Sequence, residues 1–259
     1  MQEVFAIGLH SMHQDMNGLD RIAMNLTNAA TPGYQRAVSL QRPFATLVAG
    51  QLAPAGAVLA GIDGELAARA PMSGMSEIIN DVRPGTLKAT GNALDLALAG
   101  PGYFEIATAD GPAYTRQGDF QVDARGRLVT AQGDPVMGKG GELFLAGDRP
   151  RIDAAGNVGE AGAEAGANVT VGQLKIVRFD DGAHMPRLGN GLLGAAGPAT
   201  VMDDADIALR QSYLENANVS SMREMVELMQ TMRHFESMQR VVQGYDEMLG
   251  TAIRKLGDA

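Results

Sequence analysis

The chain has 259 residues, a net charge of −9 and a pI of about 4.9, long enough for one large domain or two smaller ones. The acidic balance excludes nucleic acid and anionic lipid as partners, since both need a basic footprint. There are no cysteines, which removes disulfides, thiolate ligands and cysteine nucleophiles together, and no run nears the roughly 18 apolar residues of a membrane span.

The first twenty residues, MQEVFAIGLHSMHQDMNGLD, have no basic n-region and no small-residue cleavage site, so no conventional secretory signal is expected. A helix is predicted from Gln2 or Glu3 to about Ala29. Phe5, Leu9, Met12, Met16, Leu19, Ala23 and Leu26 recur at alternating steps of four and three and form one apolar stripe. Thr31-Pro32-Gly33-Tyr34 ends it: Pro32 disfavours α at Thr31, and Gly33 supplies the positive φ of a tight turn. Residues 35–44 read as extended. Residues 45–70 are small and aperiodic and read as a linker or adaptable arm.

From Val82 to Arg210 short apolar runs alternate with turn signals. Asp110-Gly111, Ala124-Arg125-Gly126, Ala155-Gly156-Asn157 and Asp181-Gly182 each separate two runs, which predicts a compact antiparallel sandwich or barrel. Residues 154–168 are small and polar and are expected to be an exposed loop. A last helix is expected from Ser220 or Ser221, with Ser221 and Glu224 in capping-box spacing. Its stripe includes Met222, Met229, Phe235, Met238, Val242, Tyr245, Leu249, Ala252 and Leu256. Three consecutive steps of three at Met229, Met232, Phe235 and Met238 are a stammer. Glu236 and Arg240 form an i,i+4 pair worth only about 0.2–0.5 kcal/mol, so the helix must gain its stability by burial against a partner. Both ends are expected to be loosely ordered in the free chain and to fold on assembly.

The fold class read from this layout is α+β. Long N- and C-terminal helices, whose stripes suggest that the termini pair with each other, with neighbouring subunits or with both in a coiled-coil assembly region, flank a central Gly-rich antiparallel β sandwich or barrel. The divisions are 1–34 (assembly helix and turn), 35–81 (extended arm), 82–210 (β domain) and 211–259 (C-terminal assembly helix).

The chemistry-bearing patterns have plain readings. Gly189-Asn190-Gly191-Leu192-Leu193-Gly194 fits G-x-G-x-x-G, but Pro186 before it and Gly197-Pro198 after it make it a turn rather than a dinucleotide site. His10 and His13 lie three apart with no ligand partner at a matching offset, and Asp203, Asp204 and Asp206 lack the alternating oxygens of a Ca²⁺ loop. No G-x-S-x-G, H-E-x-x-H or Ser-Lys pattern is present. No catalytic, cofactor-binding or metal residue is assigned. The Met stripes read as core or interface filler.

Ile22-Ala23-Met24-Asn25-Leu26-Thr27-Asn28, followed by Thr31-Pro32-Gly33-Tyr34, resembles the N-terminal signature of bacterial flagellar rod and hook proteins, close to A-N-N-L-A-N-x-x-T-P-G-[YF], with Met24 and Thr27 replacing its Asn and Ala. A second block is similar to the same family's core. It runs through Gly85-Thr86-Leu87, Thr90-Gly91-Asn92, Leu94 to Leu98, Gly102-Tyr103-Phe104, Tyr114-Thr115-Arg116, Gly118, Phe120 and Leu128-Val129-Thr130. Asn216-Ala217-Asn218-Val219, leading into the final helix, is the third block. The closing stretch Arg233–Gln239 and the segment from Pro135 to Gly141 are most similar to proximal-rod subunits, with distal-rod subunits as the near alternative.

The resemblance implies a structural, non-enzymatic subunit of the flagellar basal-body rod, exported unfolded by the flagellar type III apparatus without a cleaved signal and assembled in the periplasm. Its partners are copies of itself, neighbouring axial proteins and that apparatus, with no nucleic acid, membrane insertion or cofactor. The assembly residues expected are Phe5, Leu9, Met12, Met16, Leu19 and Leu26 at one end and Met222, Met229, Phe235, Val242, Leu249 and Leu256 at the other. Asn25, Asn28 and Gly33 set the helix end and its junction. A periplasmic peptidoglycan hydrolase and a monomeric β adaptor are the competing readings.

Overall fold

The computed structural model of the chain describes residues 2–40, 77–145, 147, 150–161 and 168–257. The expected linker at 45–70 lies outside them. Helix α1 (Gln2–Thr27) opens the chain and helix α2 (Ser221–Gly257) closes it. Between them the outgoing and returning chain pair strand by strand. Leu87–Ala89 lies antiparallel to Tyr213–Glu215, and Leu96–Leu98 to Leu209–Gln211. This two-track stem brings the roots of α1 and α2 to one place. Beside it Ala37–Leu40 pairs antiparallel with Glu77–Asn80.

The stem feeds an open six-stranded sheet. Its spatial order is Arg187–Gly189, Leu192–Leu193, Gly111–Thr115, Tyr103–Thr108, Ile176–Arg178, Thr200–Val201, every neighbour antiparallel. Successive side chains on a strand point to opposite faces. Phe104, Ile106, Ala113, Ile176 and Leu192 therefore enter one cluster with Leu96, Phe120, Leu128, Val136 and Leu174. Tyr103, Tyr114, Val177 and Leu193 enter a second cluster on the other face, with Phe179 and Met185. Edge-on aromatic pairs mark both: Phe104 with Phe120 at 5.2 Å between centroids, Tyr114 with Phe179 at 4.7 Å. The turn signals work as read. Asp110 and Gly111 lie at the Tyr103–Thr108/Gly111–Thr115 hairpin turn, and Asn190-Gly191, with φ of 50° and 76°, is the two-residue turn between Arg187–Gly189 and Leu192–Leu193.

The coiled-coil assembly region on a sandwich or barrel is not what the chain builds. Among the described residues there are nineteen strands and only two α-helices, so the fold is β-rich. Its main sheet is an open one buried on both faces, where a sandwich sheet buries one. The two helices meet through only part of their apolar stripes, Phe235, Met238 and Val242 of α2 and Met12, Leu19 and Leu26 of α1 being half-buried. α1 and α2 run antiparallel, but the face α1 turns to α2 carries Gly8, Asp15, Gly18, Arg21 and Asn25, one residue out of register with the expected stripe. A β-carbon added at Gly8 would lie 3.3 Å from Val242 Cγ2, and one at Gly18 3.7 Å from Thr231 Cγ2. Glycine permits the close approach there, Ile22 is fully buried, and polar bonds join the helices beside these apolar contacts.

The loop expected at 154–168 is also corrected. Asn157–Ala161 and Asn168–Gln173 are strands of a three-stranded sheet with Arg151–Ile152. Val158 is fully buried in the main cluster, so one apolar side chain among small residues is enough to fix the segment.

Phe104 is fully buried at the centre of the main cluster. Phe104→Ala is expected to destabilise the protein by about 3–5 kcal/mol, read as a fall in the urea midpoint at constant slope.

Candidate assembly interface

The end of α1 is held by a chain of hydrogen bonds. Asn28 Nδ2 donates to the Met24 carbonyl at 2.9 Å, and the Thr31 amide donates to the Asn28 carbonyl at 3.0 Å. Gly33 sits at φ +65°, and its amide donates to the Glu215 carbonyl at 2.7 Å. A β-carbon there would lie 2.4 Å from the Arg116 carbonyl, so only glycine lets this turn lie flat on the β part. Beneath it is a buried ion pair. Arg116 Nε donates to Glu215 Oε2 at 2.7 Å, and the other guanidinium nitrogens donate to the carbonyls of Leu98, Gly100 and Gly102. Glu215 Oε1 accepts the Gly85 amide at 2.8 Å. Both charges are thus solvated by the fold itself, the condition under which a buried pair is tolerated.

A second network joins the two helices above this base. Asn25 is fully buried and uses its whole side-chain amide: Nδ2 donates to the Ala37 carbonyl at 2.9 Å and to Glu224 Oε2 at 3.1 Å, while Oδ1 accepts the Ala37 amide and the Tyr34 hydroxyl. Arg36 Nε donates to Glu224 Oε1 at 2.5 Å and Arg36 Nη2 to Glu227 Oε2 at 2.9 Å. Arg21 Nη2 reaches Glu227 Oε1 at 2.5 Å, and His234 pairs with Asp15 at 2.7 Å further along. Burial pushes the Tyr34 hydroxyl's pKa up. The carboxylate of Glu224 is spent on Arg36 and Asn25, which replaces the expected capping box with Ser221.

This polar inner face turns apolar side chains outward. Met222 is 80% exposed, and Met225, Val226, Met229 and Met232 are each about half exposed, at helical spacing along the first half of α2. On α1, Leu9 is 58% exposed and Met16 about half exposed, with Met24 at the far end. Of the other residues expected to mediate assembly, Met12, Leu19, Leu26, Phe235 and Val242 are half-buried. Asn25 is internal, Asn28 and Gly33 lie at the junction, and the side chains of Phe5, Leu249 and Leu256 lie outside the described residues.

Sequence reasoning missed Arg21, Arg36, Glu227 and the Arg116–Glu215 pair, and gave Glu224 a capping role in place of its bonds to Arg36 and Asn25. Charged residues one step off an apolar helical stripe were the available signal, since a stripe that is half Gly and Asn on its neighbouring side leaves room for a second packing face. Of the tempting motifs, Asp204 accepts from Lys139 Nζ and Gln173 Nε2, at 2.6 and 2.7 Å, and His13 is exposed. Among the described residues no cluster of three or more His, Cys, Asp or Glu is arranged to hold a metal, and no helix is long and apolar enough to cross a membrane.

Residues 97–174 match the family model for the flagellar hook protein FlgE/F/G D1 domain, and residues 210–255 that for the flagellar basal body rod FlgEFG protein C-terminal region. The first covers much of the β part, the second the returning strand and α2. The flagellar basal-body rod protein FlgG of Bacillus subtilis is 32% identical over 93% of this chain and 94% of its own. The chain belongs to the flagellar basal-body rod protein family. The FlgF proteins of Mesorhizobium japonicum and Salmonella typhimurium are 29% and 30% identical, over 99% and 97% of both chains respectively. The protein is accordingly a structural subunit of the flagellar rod and assembles with other axial proteins.

Two measurements test the junction. Glu215→Gln leaves the Arg116 charge buried without its counter-ion and is expected to cost about 3–5 kcal/mol in urea unfolding. Arg83, through its side-chain hydrogen bonds to Asp81, holds that carboxyl below its usual range. The stabilisation is complete above the unfolded value of about pH 4 and is lost as the pH falls through the lower native value. The urea midpoint is expected to drop on acidification below about pH 4, and to drop less in Asp81→Asn.

Proposed function

We propose that the subunit enters the rod by packing the outward apolar faces of α1 and α2 against neighbouring subunits, and that torque passes from these helices through the Gly33–Arg116–Glu215 junction into the β part. The observation that carries this is the exposed run Met222, Met225, Val226, Met229 and Met232, on the side of α2 away from its polar contact with α1. A stripe of this extent is unusual on a surface meant to stay in water. At roughly 1.5–3 kcal/mol per large side chain fully buried, and with about half of most of these side chains still open, covering the run contributes roughly 4–8 kcal/mol before ordering costs. Methionine suits such a surface because its unbranched chain adapts to irregular partners.

In this reading the subunit works by packing rather than by chemistry. It is exported by the flagellar type III apparatus, resides in the periplasmic part of the basal body, and occupies the proximal rod. The similarity of the segments 135–141 and 233–239 to proximal-rod subunits supports that position, and co-purification with proximal rather than distal axial proteins is the corresponding measurement. Relatives named FlgF and FlgG match at comparable identity, so the distal position is the outcome that would replace it.

Met225 and Met229 touch none of the polar network and are half exposed. The double variant Met225→Glu/Met229→Glu is expected to keep its unfolding free energy within about 0.5 kcal/mol of the parent for each site. It should nonetheless fail to enter rods in a strain lacking the native gene. Normal motility in that strain would remove the helix faces from the assembly role.

A further inference from the structure

A cleft of about 180 Å³ opens where the end of α1 meets the hairpin Arg187–Leu193. Met24 and Asn28 line it from the helix, Tyr34 and Gln35 from the turn, and Asn190 and Leu192 from the hairpin. Such a volume suits one side chain and is well below the roughly 300–1,000 Å³ of small-molecule sites. Among the described residues its walls carry two guanidinium groups, Arg116 and Arg187, and no carboxylate. Arg116 is occupied by Glu215 and three carbonyls.

Arg187 is not fully occupied. Its Nη2 donates to the Gln35 carbonyl at 2.5 Å, its side chain hydrogen-bonds the Tyr34 hydroxyl, and its guanidinium lies over the Tyr34 ring, 4.9 Å from the centroid. Its Nε–H, like that of Arg21, is buried with no acceptor among the described residues. A buried charged donor without a partner is costly, and native structures rarely leave one. The walls around it are rigid. Thr115 Oγ1 donates to the Gly191 carbonyl at 3.0 Å, and a β-carbon on Gly191 would lie 2.3 Å from Gln117 Nε2, so the hairpin tip is locked against the sheet. The rim adjoins the outward side of α1, where Met24 is 39% exposed.

We propose that this cleft is a socket for a carboxylate side chain carried by an adjacent rod subunit, which pairs with the face that the Arg187 guanidinium turns to the cleft. The inference rests on the packing of subunits along α1 described above. Charge complementarity favours such an occupant, because each copy of this chain carries 30 Asp and Glu against 21 Lys and Arg. A planar guanidinium edge is matched in shape and charge to a carboxylate.

The full-length protein carrying p-benzoylphenylalanine in place of Met24 tests this in assembled rods, with Arg187 intact. Irradiation is expected to join Met24's position to a segment of a neighbouring subunit that contains an Asp or Glu. Crosslinks confined to one chain, or to a neighbouring segment without an acidic residue, overturn the proposal. In parallel, Arg187→Gln is expected to lower incorporation into rods by at least about tenfold, with partial recovery in Arg187→Lys, which keeps the charge but not the fork. Arg187→Gln subunits that enter rods as well as the parent overturn it too. The two readings fail separately. Loss of assembly in Met225→Glu/Met229→Glu with normal assembly in Arg187→Gln sinks the socket alone, and the reverse pattern sinks the helix-face packing alone.

Discussion

The buried contact between Arg116 and Glu215 is where the two ends of the chain become one structure. Glu215 closes the returning track of the stem, six residues before α2 begins, and its backbone carbonyl accepts the Gly33 amide at the end of α1. Arg116 stands at the end of a strand of the main sheet and gathers three carbonyls besides the carboxylate. One ion pair therefore ties the root of each helix to the β part. Placing two charges in a dry site costs several kcal/mol per ion, and only dense hydrogen bonding offsets it. The return is geometric: a guanidinium with every donor directed accepts one arrangement of its neighbours, so the helices leave the β part at a defined angle.

The same logic extends up the helix pair. Arg21, Asn25, Arg36, Glu224 and Glu227 make the inner contact polar and specific, and Gly8 and Gly18 let the backbones come close. Apolar side chains share this contact, with Ile22 fully buried and Phe235 and Val242 half-buried, while Met222, Met225, Met229 and Met232 on α2, and Leu9 and Met16 on α1, stay exposed.

Much of the architecture could be read from residue order. The two terminal helices, the stop at Thr31-Pro32-Gly33-Tyr34 and the hairpin turns at Asp110-Gly111, Ala124-Arg125-Gly126 and Asn190-Gly191 all follow from local chemistry. Backbone conformation at these points is set within a few residues, so no knowledge of the rest of the fold is needed. The strand at Asn157–Ala161 was not legible, because Val158 is a single apolar residue among Gly, Ala and Glu, and its burial depends on the cluster it meets. The burial of both faces of the main sheet was equally hidden. Runs such as Tyr103-Phe104 and Val177 beside Ile176 fit a strand buried on one side or on two.

Residue spacing by itself determined that each end of this chain is an amphipathic helix and that Gly33 marks a sharp turn, since helical periodicity and glycine's steric freedom are properties of the local chain. Tertiary structure alone decided which side of each helix faces in. A stripe and the row next to it share the same repeat, and the choice between them turned on Gly8 and Gly18 permitting close approach and on Asn25, Arg36 and Glu224 finding one another across nearly the whole length of the sequence.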